Sequence, residues 1–316
     1  MKKILYILFG LVLIGCKPTP EVKLPVHECA TPPEGRAAAT CFATQNTIFI
    51  LSGRKVDGTY SKTLLCYDVR TDSWQEQTQP LTARVNGAAC VTTQGVFVGL
   101  GFNGVTINSA KSYLRDWWLF DPRANTWTRK ADFPSDKTDA AVCWSDEKGI
   151  WVASGFHGFT SEMYRYDITA DRWETLETET PLRVMSAVSA KCGERYFYGT
   201  GYRRQSKDDW YEWFTDGHWE KRASVPGGRL NAACDATDKA VWIVGGWHYG
   251  DTLTTGFYYE DIIRYTPSDN RWTRCGLIPC GTTENGVACA VENRLYFGLG
   301  EDKQQQLHQH WYYIED

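Results

Sequence analysis

The 316-residue chain is poor in methionine, with 3, and in histidine, with 6. It has no excess of basic charge: 34 Lys and Arg stand against 38 Asp and Glu, a formal net charge of −4, which excludes a generally basic nucleic-acid binder. Beyond the first fifteen residues no apolar run is long enough to cross a bilayer as a helix, so no transmembrane helix is expected. GxSxG, HExxH, P-loop and EF-hand patterns are all missing, so none of the chemistries they carry is indicated. What the chain has in quantity is aromatic rings and glycine: 14 Trp, 17 Tyr, 13 Phe and 28 Gly, within an ordinary globular balance of 42% hydrophobic and 23% charged residues. That mixture points to an all-β protein of many short strands and turns, whereas a helical bundle would call for more Leu, Ala and Glu.

Lys2 and Lys3 precede an uncharged run of 12 residues, 4–15. The run is shorter than the ~20 residues a spanning helix needs, and matches the apolar region of a signal peptide. It ends in Leu13-Ile14-Gly15-Cys16, which resembles the bacterial lipobox. The resemblance implies removal of residues 1–15 and lipid on Cys16. Residues 16–25 include Pro18, Pro20 and Pro25 and read as a tether. Lys17, rather than Asp, follows the Cys, in keeping with the outer membrane. The expectation is an exported protein, lipid-anchored in the bacterial cell envelope, with one globular domain over 26–316.

That domain repeats. A short apolar strand ending in Gly occurs six times, at Gly53, Gly101, Gly155, Gly201, Gly246 and Gly300, spaced by 48, 54, 46, 45 and 54 residues. An aromatic strand and a polar turn lead five times into a Trp: Trp74, Trp127, Trp173, Trp219 and Trp272. Six to eight residues later comes a Pro, namely Pro80, Pro134, Pro181, Pro226 and Pro279, and then a strand of small residues such as GAAC, NAAC or GVAC. One period of about 50 residues thus holds four antiparallel strands. Such a sheet buries both faces only by stacking on copies of itself around an axis, with small residues innermost.

These residues resemble the kelch repeat family over roughly 22–316. The family's Gly-Gly hallmark is intact only at Gly245-Gly246; the other periods carry Ser, Leu or Thr before the Gly. The resemblance implies a six-bladed kelch-type β-propeller. The sixth period lacks its last strand, and 26–36 supplies the missing register with Val26 in the Trp position. The N-terminal strand is therefore expected to complete the last blade and close the ring, which removes exposed edges.

Cys41, Cys90, Cys143, Cys234 and Cys289 share one register, with Ser189 in the fourth period. No local CxxC pair or histidine shares it, so small buried residues are expected there rather than a metal site. His308 and His310 alternate onto one face and read as a surface or core pair. No metal and no cofactor is expected.

In kelch propellers the turns before the small-residue strand and the loops after the motif Gly meet on one face. The resemblance places there Arg36, Arg84, Arg183 and Arg229 from the turns. It also places there Arg54, Asn103, His157, Tyr202, Arg203, Trp247, His248 and Glu301 from the loops. Arg offers forked donors to carboxylates, and aromatic faces stack on sugars. The alternative for the four turn arginines is a structural role between blades. The leading functional expectation is a binding module for a carbohydrate, peptide or protein, without nucleic acid. The second is a carbohydrate-processing enzyme similar to the kelch-type sialic acid mutarotases (N-acetylneuraminate epimerases), with Glu301, Arg36 and Arg54 as acid/base and anion clamp. A purely structural envelope role stands third.

Overall fold

The computed structural model describes residues 18–147, 149–250 and 255–315; the leader and the lipidation site expected at Cys16 lie outside the described residues. Six four-stranded antiparallel sheets follow one another as blades of a β-propeller. Blade 1 comprises Thr40–Thr44, Thr47–Leu51, Thr63–Asp68 and Ser73–Thr78. Blade 2 starts at Ala88–Thr92, blade 3 at Asp139–Ser145, blade 4 at Val188–Cys192 and blade 5 at Ala233–Ala236. Blade 6 is built from Val287–Val291, Arg294–Gly298 and Trp311–Glu315, and its outer strand is Val26–Glu28. Val26 pairs with Ile314 and Glu28 with Tyr312, so the two ends of the chain close the ring as the register requires.

The tether behaves differently from expectation. Arg274 N–H donates to the Pro20 carbonyl at 2.8 Å, Val22 N–H to the Arg274 carbonyl at 2.8 Å, and Leu24 N–H to the Cys275 carbonyl at 2.9 Å. Residues 20–24 therefore lie along Arg271–Leu277, the outer strand of blade 5, in parallel. The propeller's own contacts begin near residue 20 rather than 26, because an exposed sheet edge offers unpaired groups to any adjacent backbone.

The core is divided among the blade seams. Each of six buried clusters joins two neighbouring blades, as where Phe97 and Trp117 of blade 2 meet Ile150 and Tyr166 of blade 3. The repeated Trp belongs to these seams. The indole N–H of Trp74 donates to the Ala30 carbonyl at 2.8 Å, Trp173 to Ala131 at 2.9 Å, Trp219 to Glu179 at 3.0 Å and Trp272 to Ala223 at 2.8 Å. Each acceptor lies at the end of the preceding blade's outer strand or within two residues beyond it. The indole thus fills the seam with apolar area and satisfies its one polar atom across it.

Small innermost residues leave an axial channel. Its wider chamber, about 440 Å³, is lined by Cys41, Cys90, Cys143, Ser189, Cys234 and Cys289 among others. Cys143 Sγ donates to the Ala89 carbonyl at 3.1 Å, and Ser189 Oγ to the Cys143 carbonyl at 3.4 Å. Both reach the backbone of the preceding blade, which accounts for the interchange of Cys and Ser at this register. Among the described residues no three His, Cys, Asp or Glu side chains stand together to hold a metal ion.

Candidate functional site at the mouth of the axial channel

Each first strand enters the axis through one residue in the left-handed region: Ala38, Asn86, Ala140, Ser186, Asn231 and Asn285, with φ of 53–55°. Their backbones join neighbouring blades. Asn86 N–H donates to the Ala38 carbonyl at 2.8 Å, Ala38 N–H to Asn285 at 2.7 Å, and Asn285 N–H to Asn231 at 2.9 Å. Asn tolerates this conformation better than most residues. These six residues line a neck of about 160 Å³.

One residue earlier in each turn pairs with the residue after the motif Gly, which sets a double ring around the mouth. The pairs are Ala37 with Arg54, Val85 with Phe102, Asp139 with Phe156, Met185 with Tyr202, Leu230 with Trp247, and Glu284 with Glu301. Three carboxylates, Asp139, Glu284 and Glu301, and one cation, Arg54, therefore stand in a ring whose other members are apolar or aromatic.

Their environments differ. Glu301 is buried, is ion-paired with Arg54, and accepts a hydrogen bond from Asn285 Nδ2 at 2.9 Å. Glu284 accepts from Asn231 Nδ2 at 2.9 Å and from the Tyr258 hydroxyl. Burial pushes the Glu284 carboxyl above the usual range and the Glu301 charge adds to this, outweighing the hydrogen bonds and Arg54. Asp139 accepts from Asn86 Nδ2 at 2.8 Å, and burial pushes it up to about 6. Tyr60 is raised by burial and by the Asp139 charge.

Aromatic rings flank the carboxylates. Two short hairpins, Tyr202–Arg203 with Gln205–Ser206 and Trp247–His248 with Phe257–Tyr258, rise from blades 4 and 5. Tyr249 N–H donates to Ser206 Oγ at 2.8 Å and links them. Tyr202, Tyr249, Trp247 and Tyr258 then form a row, with ring centroids 4.7, 5.1 and 5.7 Å apart in sequence, ending at Glu284. On the far side Tyr113 stacks on His157 at 4.2 Å, and the imidazole faces Asp136 with Nδ1–Oδ2 at 2.9 Å.

The structure brings Arg54, Tyr202, Trp247 and Glu301 to the mouth and sets His157 at its edge. It withdraws three of the four turn arginines from the expected binding set. Arg36, Arg84 and Arg229 are fully buried. Arg84 grips Asp116 through both guanidinium nitrogens, at 2.8 and 2.7 Å, and donates to the Leu100 carbonyl at 2.9 Å. Arg229 does the same with Asp261 at 2.8 and 3.4 Å and with the Gly245 carbonyl at 3.0 Å, while lying over Tyr259 at 3.7 Å. Arg36 donates to Glu34 and to the Ile50, Ser52 and Thr63 carbonyls. These forks hold the end of the second strand to the start of the third within a blade. They leave the alternative catalytic set without Arg36.

Arg183 differs from the other three. The residue in their register is Val184, and Arg183 is exposed, donating to the Phe159 carbonyl at 2.8 Å. Asn103 shapes its own loop by accepting from Val105 N–H at 3.1 Å, Arg203 lies over Phe159 at 5.6 Å, and His248 donates to the Gly228 carbonyl at 2.9 Å. Sequence reasoning missed Glu284, Asp139, Tyr60, Tyr258 and the asparagines. Aligning the six turns would have shown Glu284 and Asp139 in the slot that Ala37, Val85, Met185 and Leu230 fill elsewhere.

Comparison with known proteins agrees with this geometry. Residues 19–201 match a family model described as the KLHDC2/KLHL20/DRC7 Kelch-repeats domain. The chain is 24% identical over 226 residues to N-acetylneuraminate epimerase 1 of Escherichia coli O6:H1, covering 69% of this chain and 54% of that protein. It is 24% identical over 230 residues to N-acetylneuraminate epimerase of Yersinia pestis, covering 69% and 52%. It is 28% identical over 141 residues to Kelch-like protein 36 of Bos taurus, covering 43% and 22%. The chain spans about half the length of the epimerases it matches. The family match covers more than half of the chain and all six blades keep the four-strand register: the chain belongs to the kelch-repeat family of β-propellers.

Proposed function

We propose that this propeller is exported, lipid-anchored at Cys16 in the bacterial cell envelope, and binds a carbohydrate in the mouth of its axial channel. The observation that carries the binding site is the row of aromatic rings leading into Glu284, Glu301 and Arg54. Sugar rings present apolar faces to aromatic side chains, and their hydroxyls donate to carboxylates. Arg54 adds a fork for a ligand acceptor or carboxylate. The likeness to proteins named N-acetylneuraminate epimerase supports a sugar over a peptide.

The test is a glycan array followed by titration of any hit, acidic and neutral sugars included. Trp247→Ala is expected to weaken binding about 30-fold, as loss of an aromatic anchor does. Arg54→Ala is expected to weaken it about 10- to 150-fold through lost charge-assisted bonds. Melting temperatures identify any variant that has lost its fold. A hit whose affinity ignores both substitutions removes the site from this face.

A second reading, anomer interconversion, is favoured by the unequal carboxylates. Burial raises the Glu284 carboxyl, while the Glu301 oxygens face Arg54 and Asn285 as acceptors. Two carboxyls at one mouth in such different environments can serve as acid and base. One takes the proton of the anomeric hydroxyl as the other protonates the ring oxygen; the ring opens, the carbonyl turns, and closure returns both protons. NMR of the anomers tests this. Glu284→Gln is expected to slow exchange about 100-fold or more while binding persists. Exchange at the uncatalysed rate with wild-type protein leaves the binding reading alone.

A further inference from the structure

Residues 20–24 do not form a free leash, and this fixes where a lipid anchor would pull. Cys16 is four residues from Pro20, whose carbonyl is bonded to Arg274. Four extended residues reach about 14 Å. A lipid on Cys16 therefore holds the outer edge of blade 5 at the membrane. Beside that edge lies a groove of about 660 Å³ lined by Leu24, Val26, Phe257, Tyr258, Tyr259 and Leu277 among others. Leu277 is 61% exposed, Phe257 47% and the neighbouring Val22 45%.

We infer that this edge of blade 5 rests on the lipid surface, with Leu277 and Phe257 in the boundary between headgroups and acyl chains. The inference depends on the lipid-anchor reading above. Apolar and aromatic side chains gain by entering that boundary, and the nearby anchor makes their entry intramolecular. A flexible tether would leave all faces equally free. Pinning instead sets blade 5 down and places blade 2, its opposite in a ring of six, away from the membrane. The channel mouth then opens sideways, within reach of ligands that move along the membrane or arrive from solution.

The experiment is carbene footprinting, read by mass spectrometry, of the lipidated protein in phosphatidylethanolamine–phosphatidylglycerol vesicles and of the Cys16→Ser variant in solution. Val105 and Ile107 in the blade 2 loop, 76% and 69% exposed, are internal controls. The expected result is that labelling of Leu277 and Phe257 falls about three-fold or more on vesicles, as for side chains moved out of water. Val105 and Ile107 stay unchanged. Wild-type protein that floats with vesicles yet labels Leu277 and Phe257 as in solution overturns the inference and leaves the anchor standing. Protection of the blade 2 loop instead does the same. Protection already present in vesicle-free solution, with a dimer mass, assigns the groove to a second copy and also overturns it. Wild-type protein that carries no lipid and does not float removes both the anchor and the inference.

Discussion

Replacing Arg84 by methionine is expected to cost the propeller about 3–5 kcal/mol at neutral pH, whereas Arg183→Ala should cost less than about 0.5 kcal/mol. The two residues look alike in the sequence, each following a Pro by two to four positions. Arg84 has no exposure and makes a two-pronged contact with Asp116, whose side chain is 12% exposed. Burial acts to raise the Asp116 carboxyl, but the Arg84 guanidinium and the Trp118 indole outweigh it and hold the group below its usual range. Removing one partner of such a pair leaves a charge without its counter-ion in a medium of low dielectric. The depressed carboxyl contributes stability that is present above its unfolded pKa of about 4 and lost as pH falls through the native value. The Arg84→Met penalty should therefore be largest at pH 7 and shrink toward pH 4, where the orphaned Asp116 takes up a proton. Arg84→Met with Asp116→Leu should recover much of the loss, because paired removal leaves no buried charge. Denaturant melts at the two pH values measure all three. Equal penalties for Arg84→Met and Arg183→Ala would mean that Arg183, not Val184, holds the turn of blade 4.

That pair of residues also marks where reading the sequence succeeds and where it stops. Periodicity carried the fold because each blade repeats its own local physics: small residues at the axis, Gly ending the second strand, Trp at the seam. Even the departures from Gly-Gly left the backbone intact. Ser52, Leu100, Ser154, Thr200 and Leu299 keep φ of 56–60° where the hallmark has glycine, close to the 62° of Gly245. Each holds a left-handed conformation that costs a side chain about 1–2 kcal/mol, so packing of the whole blade imposes it. The closing strand was legible for the same reason, since Pro33 follows Val26 by seven residues, within the six to eight that separate Trp from Pro in the other seams.

The site was legible only in part because its properties arise between blades. Glu301 could be named from its place after a motif Gly. Its partners Arg54 and Asn285 come from blades 1 and 6, and the Asn231 that satisfies Glu284 comes from blade 5. Burial decided the rest. An Arg one residue out of register becomes a surface residue, and an Arg in register becomes a strut. Composition does not distinguish the two, whereas a turn-by-turn alignment of the six periods does.

Asp139→Asn is expected to stabilise the protein by about 2–3 kcal/mol at pH 8 and to leave it almost unchanged at pH 4. Burial pushes this carboxyl up to about 6 from its ordinary value of 3.8, with the Asn86 amide opposing. A carboxyl raised in the native state favours folding in its protonated form. That contribution is fully present below the unfolded pKa and lost as pH rises through about 6; above this, ionised Asp139 burdens the fold. Asparagine keeps an oxygen that can accept the Asn86 hydrogen bond and carries no charge to desolvate. In the other blades the same slot holds Ala37, Val85, Met185, Leu230 and Glu284. The architecture therefore does not require an acid there, and a costly acid at the mouth is better explained by work done on a ligand than by folding. An ionised carboxylate is the stronger acceptor for a sugar hydroxyl. The same variant should therefore lose affinity for any ligand of the mouth at pH 8 while gaining stability. Thermal melts from pH 4 to pH 8, paired with titration of that ligand, read both effects. A stability gain of equal size at pH 4 and pH 8 would show that charge is not its source, and unchanged affinity would take Asp139 out of the binding site.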